Sequence, residues 1–454
     1  MVLARKVAVV GSGISGLSAA HSLLGHAEVT LFEAGSYFGG HTHTVDVTLP
    51  TPQGMLTHGV DTGFLVYNER TYPNLIALFE QLHVATVKSD MSFSVQVPGA
   101  MGSKALEWSG SSLATVFAQR SNAWNPRFLK MLWDLMRFNK LATQLASSGK
   151  DAAMTQPLRV FLQAHQFSQE FKDWYFLPML GCIWSCPEDQ MLEFPVATMV
   201  RFCHNHGLLQ VTNRPQWYTV AGGARHYVDK IIAGIADKRL NCPVQLIERD
   251  EQGVRIITDG RAERFDKVVI ATHAPQALAM LRDASAQERT VLGVMRTQAN
   301  RAVLHTDASV LPKERKAWAA WNYVRSHSHG DWGSCDGATQ PSPDKRVCLH
   351  YLVNKLQPLP FTQPVVVSLN PTSPIARNHI MGEFDYAHPV FDAAAIAAQN
   401  QLADMQGQLH TYYAGAWTGY GFHEDGLKSG LAVARHLLSE WHGAAQPVTQ
   451  ASFA

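Results

Sequence analysis

A chain of 454 residues is longer than one hydrophobic core usually serves, so its length alone predicts more than one domain. With 46% hydrophobic and 17% charged residues, its composition is typical of a soluble globular protein with large buried cores. The formal net charge of +1 creates no global field toward nucleic acid or an anionic membrane. We therefore set nucleic acid aside as a partner.

The N-terminal stretch MVLARKVAVVGSGISG superficially resembles a secretion signal, but its apolar run is short, strand-like and followed by no cleavage site. No stretch approaches ~20 uninterrupted apolar residues, so no membrane span is predicted. We expect a cytoplasmic protein, and peripheral contact with the inner membrane face stays open. The six cysteines include no C-x-x-C pair, and Cys182 and Cys186 are expected to be buried free thiols rather than a metal or redox pair. No metal site is predicted.

The first motif is KVAVVGSGISGLSAAHSLL, which predicts a buried strand over 7–10, a tight turn and a helix over 15–24. Gly11, Gly13 and Gly16 form G-x-G-x-x-G between that strand and that helix. The first glycine permits the turn, the second lets the backbone approach a pyrophosphate, and the third allows close helix–strand packing. The phosphates would lie at the helix N-terminus, where unpaired N–H groups favour negative charge.

The second predicted strand, EVTLFEA, ends at Glu33, 22 residues after Gly11. A carboxylate there accepts hydrogen bonds from a ribose 2′-hydroxyl and repels a 2′-phosphate, which argues against NADP. Strand, glycines, helix, strand and acid in register predict a dinucleotide site.

A second glycine pair, Gly39 and Gly40, follows in AGSYFGGHTHT, and HGVDTGFLVYN adds another strand-like run. With these motifs the sequence resembles the flavin amine oxidase superfamily, which includes monoamine oxidases, protoporphyrinogen oxidase and phytoene-type desaturases. The stretches WYTVAGGARHYVDKI, PVQLIERDEQGVRIITDGRAERFDKVVIATHAP and YYAGAWTGYGFHEDGLKSGLAVA resemble its later motifs in order. More narrowly, DTGFLVYN, YPNL, SDMSFSV and YAHPVFDAAAIAAQ resemble a bacterial subgroup of predicted FAD-binding proteins, whose genes often lie beside cyclopropane-fatty-acid-synthase-like methyltransferases.

The resemblance implies FAD as the cofactor and an α/β fold with a discontinuous Rossmann-like domain of the glutathione-reductase type. Its implied cofactor contacts are Gly11, Ser12, Gly13, Ile14, Ser15, Gly16, Glu33, Ala34, Gly40, His41, Thr42, Asp61, Thr62, Gly63, Val244, Ala271, Thr272, Gly415, Trp417, Glu424, Asp425 and Gly426. Two positions depart from the family pattern. His41 stands where the family often has Arg, and Trp417 stands where an acid usually contacts the ribityl chain.

The FAD-binding domain is predicted from residues 1–68, 216–285 and 405–442, and an inserted α+β substrate domain from 69–215 and 286–404. The tail over 443–454 is predicted to be mobile. In NPRFLKMLWDLMRFNKLATQLA an apolar stripe recurs at helical spacing, formed by Phe128, Leu132, Leu135, Phe138, Ala142 and Leu145. Core packing explains this helix better than a membrane surface, although Trp133, Lys130 and Lys140 keep the second reading open. The second insertion reads as strands that would form the floor of a substrate cavity.

The chain has no second G-x-G-x-x-G after a strand, which favours a flavoenzyme that its own substrate reduces. His423 matches an aromatic-cage position of amine oxidases and could instead act as a general acid or base. Lys355 is a candidate for the family's lysine near the reactive flavin nitrogen, and Tyr67 and Trp417 could line the substrate cavity. The helix near Glu424 and Asp425 would direct its N-terminal amides at the flavin, where charge opposition should turn at least one carboxylate away.

We therefore expect an FAD-dependent oxidoreductase that removes hydride from a substrate carbon, with a lipid-like fatty acyl chain as the favoured substrate of a desaturase or dehydrogenase. An amine oxidase that produces hydrogen peroxide is the alternative enzyme. A third hypothesis is a non-catalytic FAD-binding partner of a lipid-modifying enzyme. The substrate, the electron acceptor and the oligomeric state are not predicted.

Overall fold

The computed structural model describes residues 5–148, 156–185, 187–210, 214–325 and 347–442. The strands are β1 Lys6–Val10, β2 Glu28–Phe32, β3 Thr44–Thr51, β4 Gly54–Asp61, β5 Tyr67–Asn68, β6 Thr86–Ser89, β7 Phe93–Met101, β8 Lys104–Ser109, β9 Trp217–Val220, β10 Asp237–Arg239, β11 Leu246–Asp250, β12 Gly253–Thr258, β13 Arg261–Phe265, β14 Lys267–Ile270, β15 Arg296–His305, β16 Trp321–Val324, β17 Cys348–Leu352, β18 Val366–Leu369, β19 Ile380–Val390 and β20 Thr411–Tyr413. The helices are α1 Ile14–Leu23, α2 Pro73–Gln81, α3 Leu113–Val116, α4 Pro126–Ser148, α5 Leu158–Ala164, α6 Gln169–Phe171, α7 Leu177–Trp184, α8 Glu188–Leu192, α9 Val196–Asn205, α10 Arg225–Ala233, α11 Ala274–Met280, α12 Ala286–Val294, α13 Val353–Leu356, α14 Ala393–Gln399 and α15 His423–His442.

A parallel sheet with the order β10-β2-β1-β14-β20 carries the first motif. Four of the five residues of β1 are buried, as expected for a central strand covered on both faces. Because β20 pairs with β14 and β14 with β1, the sheet joins three stretches that lie far apart in the sequence. The predicted α/β class with a discontinuous Rossmann-like sheet is confirmed.

Helix α15 packs directly along α1, and two glycines allow the close approach. A Cβ added at Gly430 would lie 2.1 Å from the carbonyl oxygen of Ser15, and one at Gly426 would lie 2.8 Å from Cγ2 of Ile14. Glycine is therefore required at Gly430, since backbone cannot yield as a side chain can. This packing brings the first turn of α15 beside the first turn of α1.

The second large sheet has seven strands in the order β19-β15-β18-β17-β16-β7-β8. It contains the strands predicted in the second insertion, and helices α4 to α9 of the first insertion pack beside it. In α4 the predicted stripe faces inward, with Phe128, Phe138 and Ala142 at most 1% exposed. Among the described residues, no helix is long and apolar enough to cross a membrane.

Cys182, Cys203 and Cys348 are buried free thiols, and Cys242 is a partly buried one. Cys186 and Cys335 lie outside the described residues, as does the tail over 443–454. In the described ranges, no group of three His, Cys, Asp or Glu side chains is arranged to hold a metal ion.

Candidate active site

A cavity of about 730 Å³ opens at the carboxyl ends of the parallel strands. The loops that follow β1, β2, β14 and β20 all contribute to its wall. Ligands of open α/β sheets bind at this edge, because there the loops of adjacent strands diverge. The cavity then continues between the parallel sheet and the seven-stranded sheet, where Trp321 and Tyr351 line it.

The glycine loop adopts the geometry that its motif predicts. Gly11 has φ +98°, and a Cβ there would lie 2.8 Å from the carbonyl oxygen of Ala271, so only glycine fits. A Cβ at Gly13 would meet nothing within 4 Å. The first hydrogen bond of α1 runs from the amide of Leu17 to the carbonyl of Gly13, at 2.9 Å, so the preceding amides have no partner within the helix. The loop thus presents open space and unpaired N–H groups, as an anionic ligand requires.

Glu33 is fixed directly after β2. Its Oε2 accepts hydrogen bonds from the amide and hydroxyl of Ser12 at 2.9 and 2.5 Å, and its Oε1 accepts one from the amide of Gly35 at 2.8 Å. Oε2 thus accepts two hydrogen bonds, whereas Oε1 accepts one and keeps capacity for another. The carboxylate lines the cavity beside the glycine loop, where a ribose hydroxyl could donate to it.

The structure brings most of the predicted contact residues together on the cavity wall, although they come from distant parts of the chain. Those that line the cavity are Gly11, Ser12, Gly13, Ile14, Ser15, Glu33, Ala34, Gly40, His41, Gly63, Val244, Ala271, Thr272, Gly415 and Trp417. The others lie behind the wall, namely Gly16, Thr42, Asp61, Thr62, Glu424, Asp425 and Gly426. These seven support the site through packing and hydrogen bonds instead of lining it.

Asp61 shows how this second group acts. Its carboxylate accepts hydrogen bonds from the hydroxyl of Thr44, the amide of Ala224 and the side chain of Gln357, at 2.5, 2.9 and 2.7 Å. Burial raises the pKa of Asp61 to about 7, although these hydrogen bonds oppose the shift. The residue therefore anchors the loop before Gly63 to the start of α10.

The two carboxylates at the start of α15 both turn away from the cavity. Glu424 accepts hydrogen bonds from the amide and side chain of Asn74 at 3.0 and 2.6 Å and from the amide of Leu75 at 3.0 Å, so it ties α15 to α2. Asp425 accepts the amides of Tyr420 and Phe422, which precede the helix. We expected at least one of these carboxylates to turn away from the flavin, and both do. Asp425 holds the loop before α15 and does not cap its own helix.

Two predicted site residues lie elsewhere. The ammonium of Lys355 lies 3.4 Å from the carboxylate of Asp90, its side chain is 38% exposed, and it does not line the cavity. Tyr67 is also absent from the cavity wall, because its ring is buried against Tyr72 and Tyr218. The expectation that Lys355 and Tyr67 face the substrate is therefore wrong for this structure.

Trp417 lines the cavity at the position where related proteins usually have an acid. It is 3% exposed, and its indole N–H donates to the carbonyl of Thr272 at 3.0 Å. That N–H is the only polar atom of the side chain, so none remains for a hydroxyl group of a ligand. A Cβ at Gly415 would lie 2.2 Å from this indole nitrogen, so the glycine makes room for the tryptophan.

His423 lines the cavity as the first residue of α15. Its ring stacks on Phe64 with centroids 3.9 Å apart and planes inclined by 13°, and its Nε2 lies 2.7 Å from the hydroxyl of Tyr227. The same hydroxyl lies 2.5 Å from the hydroxyl of Thr42. Burial lowers the pKa of His423 to about 3, so the ring is neutral near pH 7.

Three further histidines cluster on the cavity wall, and only His41 among them is a predicted site residue. The ring of His41 lies 6.0 Å from that of His273 and 5.3 Å from that of His388, and its buried Nε2 has no hydrogen-bond partner among the described residues. Burial first, and then the neighbouring histidines, hold the pKa of His41 well below its usual range. A neutral ring therefore stands where the family often has a permanent cation. Both missed histidines fall inside motifs that carry the resemblance, THAP and YAHPVFD, which is the signal that could have identified them.

The remaining wall is apolar and was not predicted from the sequence. It comprises Leu65, Val66, Met91, Ile183, Phe202, Leu208, Trp321 and Phe422, with His206 and Cys182 among them. Burial lowers the pKa of His206 to about 4 and raises that of the Cys182 thiol well above its usual range, so both are neutral near pH 7. Among the described lining residues, Glu33 is the only carboxylate and none is Lys or Arg.

Solved structures share this fold across nearly the whole chain. Cyclohexylamine oxidase from Brevibacterium oxydans IH-35A is 16% identical with a TM-score of 0.67, and the match covers 97% of this chain and 100% of that one. A fatty acid isomerase from P. acnes that produces CLA is 16% identical with a TM-score of 0.63, covering 95% and 98%. Putrescine oxidase is 14% identical with a TM-score of 0.64, covering 96% and 99%. Comparison with curated proteins gives no significant sequence match.

The fold and the dinucleotide site together define a nucleotide-dependent oxidoreductase of the flavin-binding type. The family model of flavin-containing amine oxidoreductases matches residues 14–338, and the chain belongs to that family. It is an FAD-dependent oxidoreductase. The wall residues fit the cofactor, because open space at Gly13 and the unpaired amides of α1 suit a diphosphate, while Glu33 suits a ribose.

Proposed function

We propose that this enzyme removes hydride from a carbon of a lipid-like substrate, such as a fatty acyl chain, as a desaturase or dehydrogenase does. The observation that supports this most strongly is the uncharged wall beyond the nucleotide end. A protonated amine or a free anion would lose its hydration there without gaining a charged partner, which costs several kcal/mol. An alkyl chain instead gains about 0.8 kcal/mol for each buried CH₂ group.

The fold accommodates such a substrate elsewhere, since one protein of this fold is a fatty acid isomerase. The arrangement of His423 also favours a lipid over an amine. One face of its ring is covered by Phe64, in direct stacking contact, and both side chains line the cavity. We infer that this pair forms a closed apolar wall, with Tyr227 fixing the orientation of the imidazole.

Bound FAD supplies the two-electron acceptor, and the protein supplies orientation and electrostatics. The phenylalanines, leucines and tryptophans of the wall exclude water and hold the chain of the substrate. The first turn of α15 begins at the cavity wall with His423, and the positive end of its dipole favours the negative charge that reduction adds. His423 is neutral near pH 7 and its Nε2 is hydrogen-bonded to Tyr227, so it shapes the wall instead of storing a proton.

The decisive experiment mixes the purified holoenzyme anaerobically with a panel of fatty acyl lipids and, separately, with simple amines. We expect lipids to bleach the flavin absorbance and amines to leave it unchanged. Bleaching by a simple amine and by none of the lipids would establish the amine oxidase alternative. A flavin that no substrate bleaches would support the third hypothesis, in which the protein is a non-catalytic partner of a lipid-modifying enzyme.

A matched pair of variants locates the substrate. Leu208→Glu places a charge on the cavity wall, whereas Leu56→Glu places one at a leucine that is 42% exposed in the β3–β4 hairpin and does not line the cavity. We expect the first variant to retain FAD and to lose lipid-dependent bleaching by more than tenfold, and the second to behave as the wild type. Lipid profiles of cells with and without the gene then identify the product.

A further inference from the structure

Helix α4 has a second apolar face, opposite the stripe that packs into the core. Leu129, Trp133 and Met136 are 44%, 68% and 56% exposed. Their spacing of four and three residues places them on one side of the helix. Trp124, two residues before the helix, is 87% exposed. These large apolar side chains form what we call the outer face of α4.

This concentration of exposed apolar surface is unusual within the molecule. Single exposed apolar residues are ordinary on protein surfaces, but clusters of large ones mark interaction sites. Trp124 and Trp133 are the only tryptophans more than 36% exposed in the described part of the chain. Core packing does not require these exposed side chains, because the inward stripe of α4 already supplies the face that packs into the core.

Positive charge surrounds the same face. Lys130, Lys140 and Arg120 are exposed and form no ion pair with any described residue. Helix α4 carries four basic side chains and one acidic side chain, Asp134. That carboxylate is only 1% exposed and is neutralised by Arg137 at 2.7 Å. The outer face therefore presents positive charge without a competing exposed acid on its own helix.

We propose that the outer face of α4, together with Trp124, docks this protein on an anionic lipid bilayer. Tryptophan is favoured at the level of the lipid headgroups, since its ring is apolar and its N–H remains hydrated. Lysines beside it extend their ammonium groups toward the phosphates while their alkyl stems cover apolar surface. Protein–protein interfaces are instead depleted in lysine, so a second copy of the chain fits this face less well.

The docking surface is connected to the candidate active site by one layer of helices. Helix α9 packs against α4 and supplies Phe202 to the cavity wall. Contact with a bilayer would therefore hold the apolar cavity close to the phase in which lipid substrates dissolve. This inference goes beyond the proposed chemistry, and membrane binding can be measured without any substrate.

The experiment is co-sedimentation of the FAD-loaded protein with phosphatidylcholine vesicles, with and without phosphatidylglycerol. We expect binding to the vesicles that contain phosphatidylglycerol, and weaker binding to phosphatidylcholine alone. Trp124→Ser/Trp133→Ser should reduce the partition coefficient more than tenfold. Lys130→Glu/Lys140→Glu should also reduce it more than tenfold, because each lysine near an anionic surface contributes about fivefold. High salt should weaken the binding of the wild type.

Two control variants alter exposed residues outside the outer face. Met55→Ser removes a 68% exposed apolar side chain in the β3–β4 hairpin, and Lys88→Glu/Arg261→Glu reverses two exposed charges elsewhere. Both should bind vesicles as the wild type does, and all variants should keep its flavin absorbance and melting temperature. Wild-type protein that binds no vesicle, or tryptophan variants that bind as the wild type does, would overturn the proposal. A concentration-dependent dimer that only the tryptophan variants lose, without vesicle binding, would assign the face to self-association and overturn it too.

Discussion

Replacing Gly13 with alanine separates cofactor binding from folding. The residue has φ −62° and ψ 173°, an extended conformation that alanine adopts without strain, and its added Cβ would meet nothing within 4 Å. Alanine is a poorer residue than glycine before a helix, but it also restricts the unfolded chain. These effects are each below about 1 kcal/mol and opposite in sign, so the melting temperature of the apoprotein should hardly change.

The affinity for FAD should fall sharply, since the methyl group enters the space assigned to the pyrophosphate. Hydrogen bonds from backbone amides to an ionised group contribute about 1.5–3 kcal/mol each. Displacing the diphosphate from two amides of the first turn of α1 then costs about 3 kcal/mol or more. That loss corresponds to FAD binding weakened by roughly 100-fold.

The assay titrates apoprotein with FAD and follows the quenching of flavin fluorescence, alongside the melting temperature of the apoprotein. Gly110→Ala is the matched control, because its Cβ would make only an ordinary van der Waals contact, 3.8 Å from Cζ3 of Trp108, at an exposed position outside the cavity. Gly16→Ala is the opposite control and should prevent folding, since its Cβ would lie 1.9 Å from the carbonyl oxygen of Gly11. Wild-type affinity in the Gly13→Ala apoprotein would refute the placement of the diphosphate at α1.

Three further predictions follow from the contacts of single side chains. Lys355→Met should leave the rate of flavin reduction within about twofold of the wild type, and a tenfold loss in a normally folded variant would restore its catalytic assignment. Because the pKa of His423 lies near 3, the rate of flavin reduction should show no step near pH 6.5 that belongs to this residue. A step near pH 6.5 in stopped-flow profiles of the wild type that is lost in His423→Phe would contradict the neutral state of the ring. Burial alone would raise the pKa of Glu288, but hydrogen bonds led by Arg249 lower it to about 2. Because the folded pKa lies below the unfolded value of 4.5, this stabilisation is complete above pH 4.5 and is lost as the pH falls toward 2. Glu288→Gln should therefore lower the free energy of unfolding by about 3 kcal/mol near pH 7, and denaturant titrations should show the difference shrinking below pH 4.5.

The nucleotide end of the site could be predicted because its requirements are local. The turn at Gly11 and the acid at Glu33 follow from the order and spacing of residues around two strands, and these features survive any arrangement of the rest. The close approach at Gly430 is different. Its glycine is visible in the sequence, but only the packing of α15 on α1 shows that Ser15 occupies the space of a side chain.

The substrate end could not be predicted, since each of its residues depends on distant partners. Lys355 lies in the short helix α13 directly after β17, and only the fold places Asp90 within 3.4 Å of it. Tyr67 belongs to a continuous buried run over 64–68, and such a run does not reveal which of its side chains reaches a cavity. The stacking of His423 on Phe64 likewise joins the start of α15 to the loop after β4, which the sequence separates widely.

The membrane-surface reading of α4 illustrates a related limit. The helical period correctly identified the inward stripe, and Phe128 and Phe138 are buried as that stripe requires. A helix can nevertheless carry a second apolar face, and periodicity alone assigns every large apolar residue to the core. Only the exposed fractions of Trp124 and Trp133 separate the two faces.

The pairing of α15 with α1 and of β20 with β14 also constrains how the enzyme is made. The glycine loop is synthesised first, whereas the strand and helix that close the other side of the cavity are among the last described segments to leave the ribosome. A nascent chain can form β1, α1 and β2, but the groove along α1 that receives Gly430 stays exposed until α15 has been synthesised. The cavity wall at residues 10–15 is therefore completed only when residues 415–423, which lie at least 400 positions later, have joined it.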